Sequence, residues 1–318
     1  MVTLPSWRQV LKDEVIFFGT GPVSLMTLEG IKNSFNLEAI ITKPAVSTPG
    51  GRLHESPVKD WAEQQGLQTY TPANKQELAE LFQTKHFKSR IGLVVDYGII
   101  IPRSVIDNFE LGIVNSHFSL LPKYRGADPI TAVVLNGDSE TGVSLMLVEE
   151  QLDNGPIVGQ AKLNVAPNET INSLTDRLVA LSNKFIQETL PEYVSGSIKP
   201  LSQNTKITPS MTKKVQKADG TINWQHSAIE IERQVRAYLG WPGSRTTLAG
   251  KEVTITRASI LEDTLFDARA CSGAGIPFRT PNGQLAVCCG DGALVVESLK
   301  PAGKPEMAGN AFLAGHKL

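Results

Sequence analysis

Three side chains carry the chemistry that this sequence of 318 residues offers: Asn115, His117 and Asp153. Asn115 and His117 stand two apart at the end of the apolar run Gly112–Asn115, which reads as a β-strand, so the two side chains share one face. An amide can donate a hydrogen bond to an oxygen that gains negative charge, and an imidazole can exchange protons near neutrality. Asp153 lies in the turn Leu152-Asp153-Asn154-Gly155-Pro156, between apolar runs. A carboxylate there can orient an imidazole and favour its charged form. Each has a plainer reading as well. A histidine near a strand end is commonly a satisfied structural residue, and an Asp before Asn-Gly is a ready turn former. The loop Phe118 to Pro129, with Pro122, Gly126 and Pro129, is the kind of segment that shapes a pocket.

A second place for chemistry is Gly19-Thr20-Gly21-Pro22-Val23-Ser24, after the apolar run Val15–Phe18. It invites comparison with a dinucleotide-binding turn, but Ser24 stands where a third glycine belongs and Pro22 removes a backbone donor. Glu38, about 20 positions on, opens a strand instead of ending one. A tight strand-to-helix turn accounts for the segment more simply.

The elements that must position these groups alternate in type. Strands are expected at Val15–Phe18, Leu37–Thr42, Leu67–Tyr70, Ile91–Val95 and Gly112–Asn115. Helices are expected from Pro22 to about Asn33, at Val58–Gln65 and at Lys75–Thr84, with a long loop over Lys43–Pro57. This alternation predicts a Rossmann-like, doubly wound parallel sheet, an α/β fold whose ligands sit at the carboxyl ends of the strands. Residues following Gly19, Val95 and Val114 are therefore the first places to look. Near residue 200 the pattern changes. Lys199–Lys214 is mostly polar and reads as a linker. Beyond it come one helix, Ser227–Leu239, and short runs rich in β-formers at Thr246–Leu248, Glu252–Ala258, Gly283–Cys288 and Leu294–Leu299, the signature of a small β-barrel.

Composition narrows the class. Hydrophobic residues make up 41% and charged residues 20%, which excludes collagen, coiled coil and wholesale disorder. No apolar run approaches the length of a membrane span, and the N-terminus lacks the apolar core of a signal peptide, so a cytoplasmic protein without membrane contact is expected. Cys271, Cys288 and Cys289 lack metal-ligand spacing and read as buried reduced thiols. The net charge of −1 divides into −5 over residues 1–205 and +4 over residues 206–318. A basic C-terminal part is a weak pointer to a polyanionic partner.

The stretch Ile113–Ile157 closely resembles the folate-dependent formyltransferase family. The matching pattern is Asn-x-His-x-Ser-Leu-Leu-Pro-x-x-Arg-Gly from Asn115, then Gly-Asp-x-Glu-Thr-Gly-Val over Gly137–Val143, then Leu-Asp-x-Gly-Pro from Leu152. Asn115 and Asp153 are 38 positions apart, as in the family's triad. Ile16–Gly21, Ser56–Lys59, Lys217–Trp224, Arg236–Gly243 and Leu299–Lys304 are similar to the branch that acts on methionine carried by initiator tRNA. The resemblance implies formyl transfer from 10-formyltetrahydrofolate to the α-amino group of that methionine. It implies Asn115, His117 and Asp153 as catalytic residues, and no metal. By the same resemblance, Ser119, Leu120, Leu121 and Pro122 line the folate site and Val95 and Tyr97 wall the pterin pocket. It also implies a catalytic domain over 1–198, a linker over 199–214 and a tRNA-binding β-barrel of OB-like form over 215–318. Arg52, in the loop after the second strand, is expected to reach the acceptor end of the tRNA, and Lys213, Lys214 and Lys217 to meet phosphates. Trp224 and Trp241 could stack on bases but are read as core residues, and the protein is read as a monomer. Phe118, Asp96, Asp128 and Gln151 depart from the family's usual residues and bear on which acceptor is used. An amino-sugar nucleotide as acceptor, hydrolysis of the folate to formate, and a catalytically silent RNA-binding protein are the competing readings.

Overall fold

The computed structural model describes residues 14–47, 53–262, 271 and 273–315. In chain order the elements are β1 (Glu14–Phe18), α1 (Pro22–Ile31), β2 (Asn36–Ile41), β3 (Val46–Ser47), β4 (Leu53–His54), α2 (Pro57–Gln64), β5 (Thr69–Tyr70), α3 (Lys75–Thr84), β6 (Ile91–Val94), α4 (Arg103–Ile106), β7 (Ile113–His117), β8 (Arg125–Gly126), α5 (Pro129–Asn136), β9 (Glu140–Leu147), β10 (Ile157–Asn164) and α6 (Ile171–Val194). They are followed by β11 (Met211–Thr212), α7 (Ala228–Ala237), β12 (Ser244–Leu248), β13 (Lys251–Ile260), β14 (Pro277–Arg279), β15 (Leu285–Cys288), β16 (Ala293–Pro301), β17 (Met307–Ala308) and α8 (Gly309–Gly315). The chain gathers into two compact units. One comprises the described parts of Met1–Gly126 with Glu140–Asn164 and Thr175–Met211. The other comprises Ala127–Ser139, Val165–Leu174 and the described parts of Thr212–Leu318.

The first unit is built on a seven-stranded sheet of order β10-β9-β7-β6-β1-β2-β5. The five strands from β7 to β5 run parallel. β6 is buried along its whole length, which is why its sequence, Ile91–Val94, is apolar without alternation. Local signals start the helices. Pro22 and Pro57 open α1 and α2 at positions where no backbone donor is required. The Asn74 side chain accepts from the Gln76 and Glu77 amides to cap α3.

β9 and β10 extend the sheet antiparallel beyond β7. The spacing of strands and helices gives no hint of this pair. β10 carries its exposed residues at alternate positions on an edge, so its polar half masks the strand. The expected loop at 43–57 contains the short pair β3–β4. Strand order turns back at β1, which has β2 on one side and β6 on the other. The carboxyl ends of β1, β6 and β7 therefore open onto a common crevice.

The second unit carries a curled antiparallel sheet of six strands, β12-β13-β16-β15-β14 with β17 on β16. α7, capped by a reciprocal Ser227–Glu230 box, buries Ile231 and Val235 in the core formed with Val253, Leu285, Leu294 and Phe312. Two expectations fail in this unit. Cys271 and Cys288 form a disulfide, with Cα atoms 5.6 Å apart, and Cys289 alone remains a thiol. Backbone bonds of Cys288 to Gly275 and Ile276 bring the chain near Cys271 beside β15, a proximity that spacing cannot show. Burial pushes the Cys289 thiol up to about 11. Trp241 is 60% exposed, on the turn closed by the Gly243 amide bonding the Tyr238 carbonyl. Trp224, by contrast, packs against the core and donates from Nε1 to Thr246 Oγ1.

Candidate active site

β7 ends in the two polar residues singled out above. It pairs with β9 so that Asn115 lies opposite Met146 and His117 opposite Ser144. Their neighbours on the other face, Val114 and Ser116, point into the sheet's packed side, where Ser116 Oγ meets Ser182 Oγ at 2.8 Å. Alternation along one strand thus separates the reactive pair from the core.

Asp153 reaches this pair from the turn between β9 and β10. Its Oδ1 lies 3.5 Å from Asn115 Nδ2, and its Oδ2 lies 3.6 Å from His117 Nδ1. Both distances are longer than tight hydrogen bonds, so three groups face one point without being locked to each other. The firm contacts are with the backbone. The Gly126 amide donates to Asp153 Oδ2 at 2.7 Å. His117 Nε2 is 2.8 Å from the Tyr124 carbonyl oxygen. A carbonyl only accepts, so Nε2 carries a hydrogen, and Nδ1 is the nitrogen turned to the carboxylate. Protonated at both nitrogens, the ring would satisfy an acceptor on each side. His117 is 6% exposed and Asp153 8% exposed, so these polar contacts are made almost out of water.

The corner that delivers Asp153 is sterically defined. A Cβ on Gly155 would lie 1.8 Å from the Leu147 carbonyl oxygen, so no side chain is tolerated there. Asp153 itself has φ of 48°, in the left-handed region, and so does Tyr124 at 61°. Such residues cost about 1–3 kcal/mol each and persist only where surroundings over-determine them.

The loop Ser119–Pro122 is pinned from below by β9 and β10. Ser144 Oγ donates to the Ser119 carbonyl at 2.6 Å and accepts from the Leu121 amide at 3.0 Å. Gln160 Nε2 donates to the Leu121 carbonyl at 2.9 Å, and Ser119 Oγ to the Lys123 carbonyl at 2.6 Å. Ser119, Leu121 and Pro122 are buried, and Leu120 is half-buried. Val95 and Tyr97 send their side chains inward. The Tyr97 ring packs edge-on against Phe18 at 5.6 Å, its hydroxyl is buried without a hydrogen-bond partner, and that burial raises its phenol above the usual range. Their carbonyls accept from Ser24 Oγ and Thr20 Oγ1.

Those last bonds settle the Gly19–Ser24 turn as structural. Ser24 Oγ also accepts from the Thr20 amide, and a Cβ on Gly19 would lie 2.7 Å from it. Glu38 is likewise engaged elsewhere, by the Lys88 and Ser89 amides and Ser89 Oγ. Of the unusual residues, Asp96 is exposed, Phe118 is buried, and Asp128 accepts from the Val215 amide at 2.8 Å. Lys213, Lys214 and Lys217 are all exposed, in the second unit. Arg52 lies outside the described residues. Among the described residues no group of His, Cys, Asp or Glu side chains could hold a metal ion, and no helix is long and apolar enough to cross a membrane.

Sequence reasoning missed the groups that hold the site in place: the Tyr124 carbonyl, the Gly126 amide, Ser144, Gln160, and Gln203, whose Nε2 donates to the Asp153 carbonyl at 2.8 Å. Backbone groups have no sequence signature, and the side chains lie on strands or in a polar segment where nothing marks them.

The arrangement offers two neutral or cationic donors and one carboxylate around a single point, which suits acyl transfer to an amine. Comparison with known proteins agrees. The model of the family described as formyl transferase matches residues 15–190, and that of the formyl transferase C-terminal domain matches residues 214–317. A methionyl-tRNA formyltransferase of Myxococcus xanthus is 34% identical over 314 residues, covering 96% of each chain. One of Roseiflexus castenholzii is 35% identical over 307 residues, again covering 96% of each. Among solved structures, an N-formyltransferase of Helicobacter canadensis, in complex with folinic acid and dTDP-3-aminofucose, shares the fold at 19% identity. It has a TM-score of 0.65, covering 89% of this chain and 98% of its own. With both family models in register along the chain and full-length relatives at one-third identity, this protein belongs to the formyltransferase family.

Proposed function

We propose that this formyltransferase moves the formyl group of 10-formyltetrahydrofolate to the α-amino group of methionine on initiator tRNA, with Asn115, His117 and Asp153 as its catalytic residues. The observation that carries the reading is the approach of Asn115 and His117 to one Asp153 carboxylate, at 3.5 and 3.6 Å, at the carboxyl end of a parallel sheet. The two relatives named above, which act on methionyl-tRNA, are matched nearly end to end and support the acceptor.

The donor set fits a formyl carbonyl. The folate supplies the electrophilic formyl carbon. Asn115 Nδ2 and the Nδ1–H of a doubly protonated His117, the ring N–H not taken by the Tyr124 carbonyl, donate to the carbonyl oxygen as it gains charge, and a single such donor is worth about 3–4 kcal/mol in a preorganised site. Asp153 holds the imidazolium and accepts the proton that the attacking amine must lose, passing it toward the departing folate nitrogen. The left-handed turn and the Gly126 amide keep the carboxylate in place through this exchange. No group in the set needs to act as a nucleophile.

Ser119, Leu120, Leu121 and Pro122 form the folate-facing loop in this reading, and the strand end at Val95 and Tyr97 contributes through its backbone. Residues 1–198 supply catalysis and residues 215–318 bind tRNA, with Lys213, Lys214 and Lys217 on phosphates and Arg52 at the acceptor end. The enzyme works in the cytoplasm.

The acceptor is tested directly by incubating the protein with 10-formyltetrahydrofolate and either methionyl initiator tRNA or an amino-sugar nucleotide. Formylated methionine on the tRNA is expected. Transfer to the sugar, with none to the tRNA, overturns the assignment.

A further inference from the structure

The polar segment after α6 reads in sequence as a linker, yet its side chains reach the catalytic groups. Leu201 exchanges both backbone hydrogen bonds with Ile157 at the start of β10, at 2.7 and 2.9 Å. Two residues on, Gln203 Nε2 donates to the Asp153 carbonyl at 2.8 Å and to the Gly155 carbonyl at 3.1 Å. The Gln203 amide is held the right way round by Arg125, whose guanidinium donates to Oε1 from two nitrogens at 3.2 and 2.6 Å. Orientation is therefore fixed by partners, since an amide turned over would put its NH₂ against the guanidinium. Further along, Ser210 holds the neighbouring loop. Its Oγ accepts from the Tyr124 amide at 2.8 Å and its carbonyl accepts from the Arg125 amide at 2.8 Å.

These bonds converge on the two catalytic partners. Tyr124 is the residue whose carbonyl takes His117 Nε2. Asp153 and Tyr124 are both non-glycine residues at positive φ, and each is held by one end of the 201–210 segment. We infer that Leu201–Ser210 is a strap of the active site and that Gln203 is a positioning residue. Its amide, oriented by Arg125, holds Asp153 in its left-handed turn, with the carboxylate facing His117 and Asn115. The inference rests on the catalytic roles proposed above.

The physical logic is strain held by redundancy. A left-handed Asp relaxes by rotating its peptide, which would carry the carboxylate away from the imidazole. Two carbonyls captured by one amide donor oppose that rotation. Displacing a reacting group by about 1 Å can cost about 100-fold in rate, so the strap bears on turnover with little effect on substrate affinity.

The test uses Gln203→Ala, Gln203→Glu and Asp153→Asn, singly and combined, in formyl transfer from 10-formyltetrahydrofolate to methionyl-tRNA. Gln203→Glu keeps the partnership with Arg125 and sets a carboxylate oxygen against the two carbonyls in place of the donor, so it breaks the same two bonds by repulsion where Gln203→Ala breaks them by truncation; circular dichroism checks that each variant is folded. Either Gln203 variant is expected to lower kcat about 10- to 100-fold with both KM values held within about twofold. Adding Gln203→Glu to Asp153→Asn should cost nothing more, because the strap acts through that carboxylate. Wild-type kcat in the Gln203 variants, or a full further loss in the double variant, overturns the inference. The two readings separate cleanly. An Asp153→Asn enzyme as fast as wild type removes the catalytic role itself, whereas a slow Asp153→Asn beside fast Gln203 variants removes only the strap.

Discussion

The mouth of β7 and the exposed lysines of the second unit present their polar groups in opposite ways. At the first, an imidazole and a carboxylate are almost wholly buried, and each is tied to a specific backbone group at 2.8 Å or less. At the second, Lys213, Lys214 and Lys217 stand exposed. A buried polar group must have its partner named by the fold, because leaving it unpaired costs about 1–3 kcal/mol. An exposed lysine keeps its hydration and its rotamers, and attracts a polyanion by charge alone. The first kind of site depends on single residues, the second on a sum.

That contrast predicts a hierarchy of effects. In the proposed mechanism, replacing His117 by Ala removes an oxyanion donor and the cation that Asp153 faces, so kcat for formyl transfer should fall about 1,000-fold in a chain that still folds. Asp153→Asn keeps the left-handed turn, which Asn tolerates, and discards the charge together with one acceptor oxygen; about 100-fold in kcat is expected. Steady-state rates with unchanged circular dichroism check both, and near-wild-type turnover in either would end the comparison on the catalytic side.

The lysines should behave differently. Changing Lys213, Lys214 and Lys217 together to Ala should leave kcat nearly intact and raise KM for the tRNA. It should also flatten the dependence of log affinity on log salt by about 2, given about 0.7–0.9 per lost phosphate contact. An unchanged slope would show that these lysines are merely solvated. The smallest effects concern the tryptophans. Trp241→Ala should shift unfolding in urea by less than about 0.5 kcal/mol, since its ring is exposed. Trp224→Ala should cost about 1–3 kcal/mol, because it removes both core contact and the bond to Thr246. A larger loss at Trp241 than at Trp224 would reverse that order.

Legibility followed the range of the interaction. The strands Val15–Phe18 and Ile91–Val94 and the helix Lys75–Thr84 announce themselves, because burial on both faces and a capping Asn act within a few residues. β9, β10 and α6 did not. Their identity depends on which strand edge is free to receive them, and β10 presents a polar half to solvent. Trp241 was misread for a related reason. Its hydrophobicity is local, but its exposure is set by the turn between Tyr238 and Gly243. The pairing of Cys271 with Cys288 depends on strand register and was equally out of reach.

The order of residues in the chain sufficed for the alternating α/β pattern, for the shared face of Asn115 and His117, and for the change of character near residue 200. Those properties follow from periodicities of two and 3.6 residues, which are written into neighbouring positions. Folding decided what lies across space: that Asp153 meets His117, that Tyr97 turns its ring inward, and that Gln203, in a stretch resembling a tether, grips the corner beside the Asp153 carboxylate. Such contacts join positions tens of residues apart through a single hydrogen bond, and no local pattern encodes a partner chosen by the path of the whole chain.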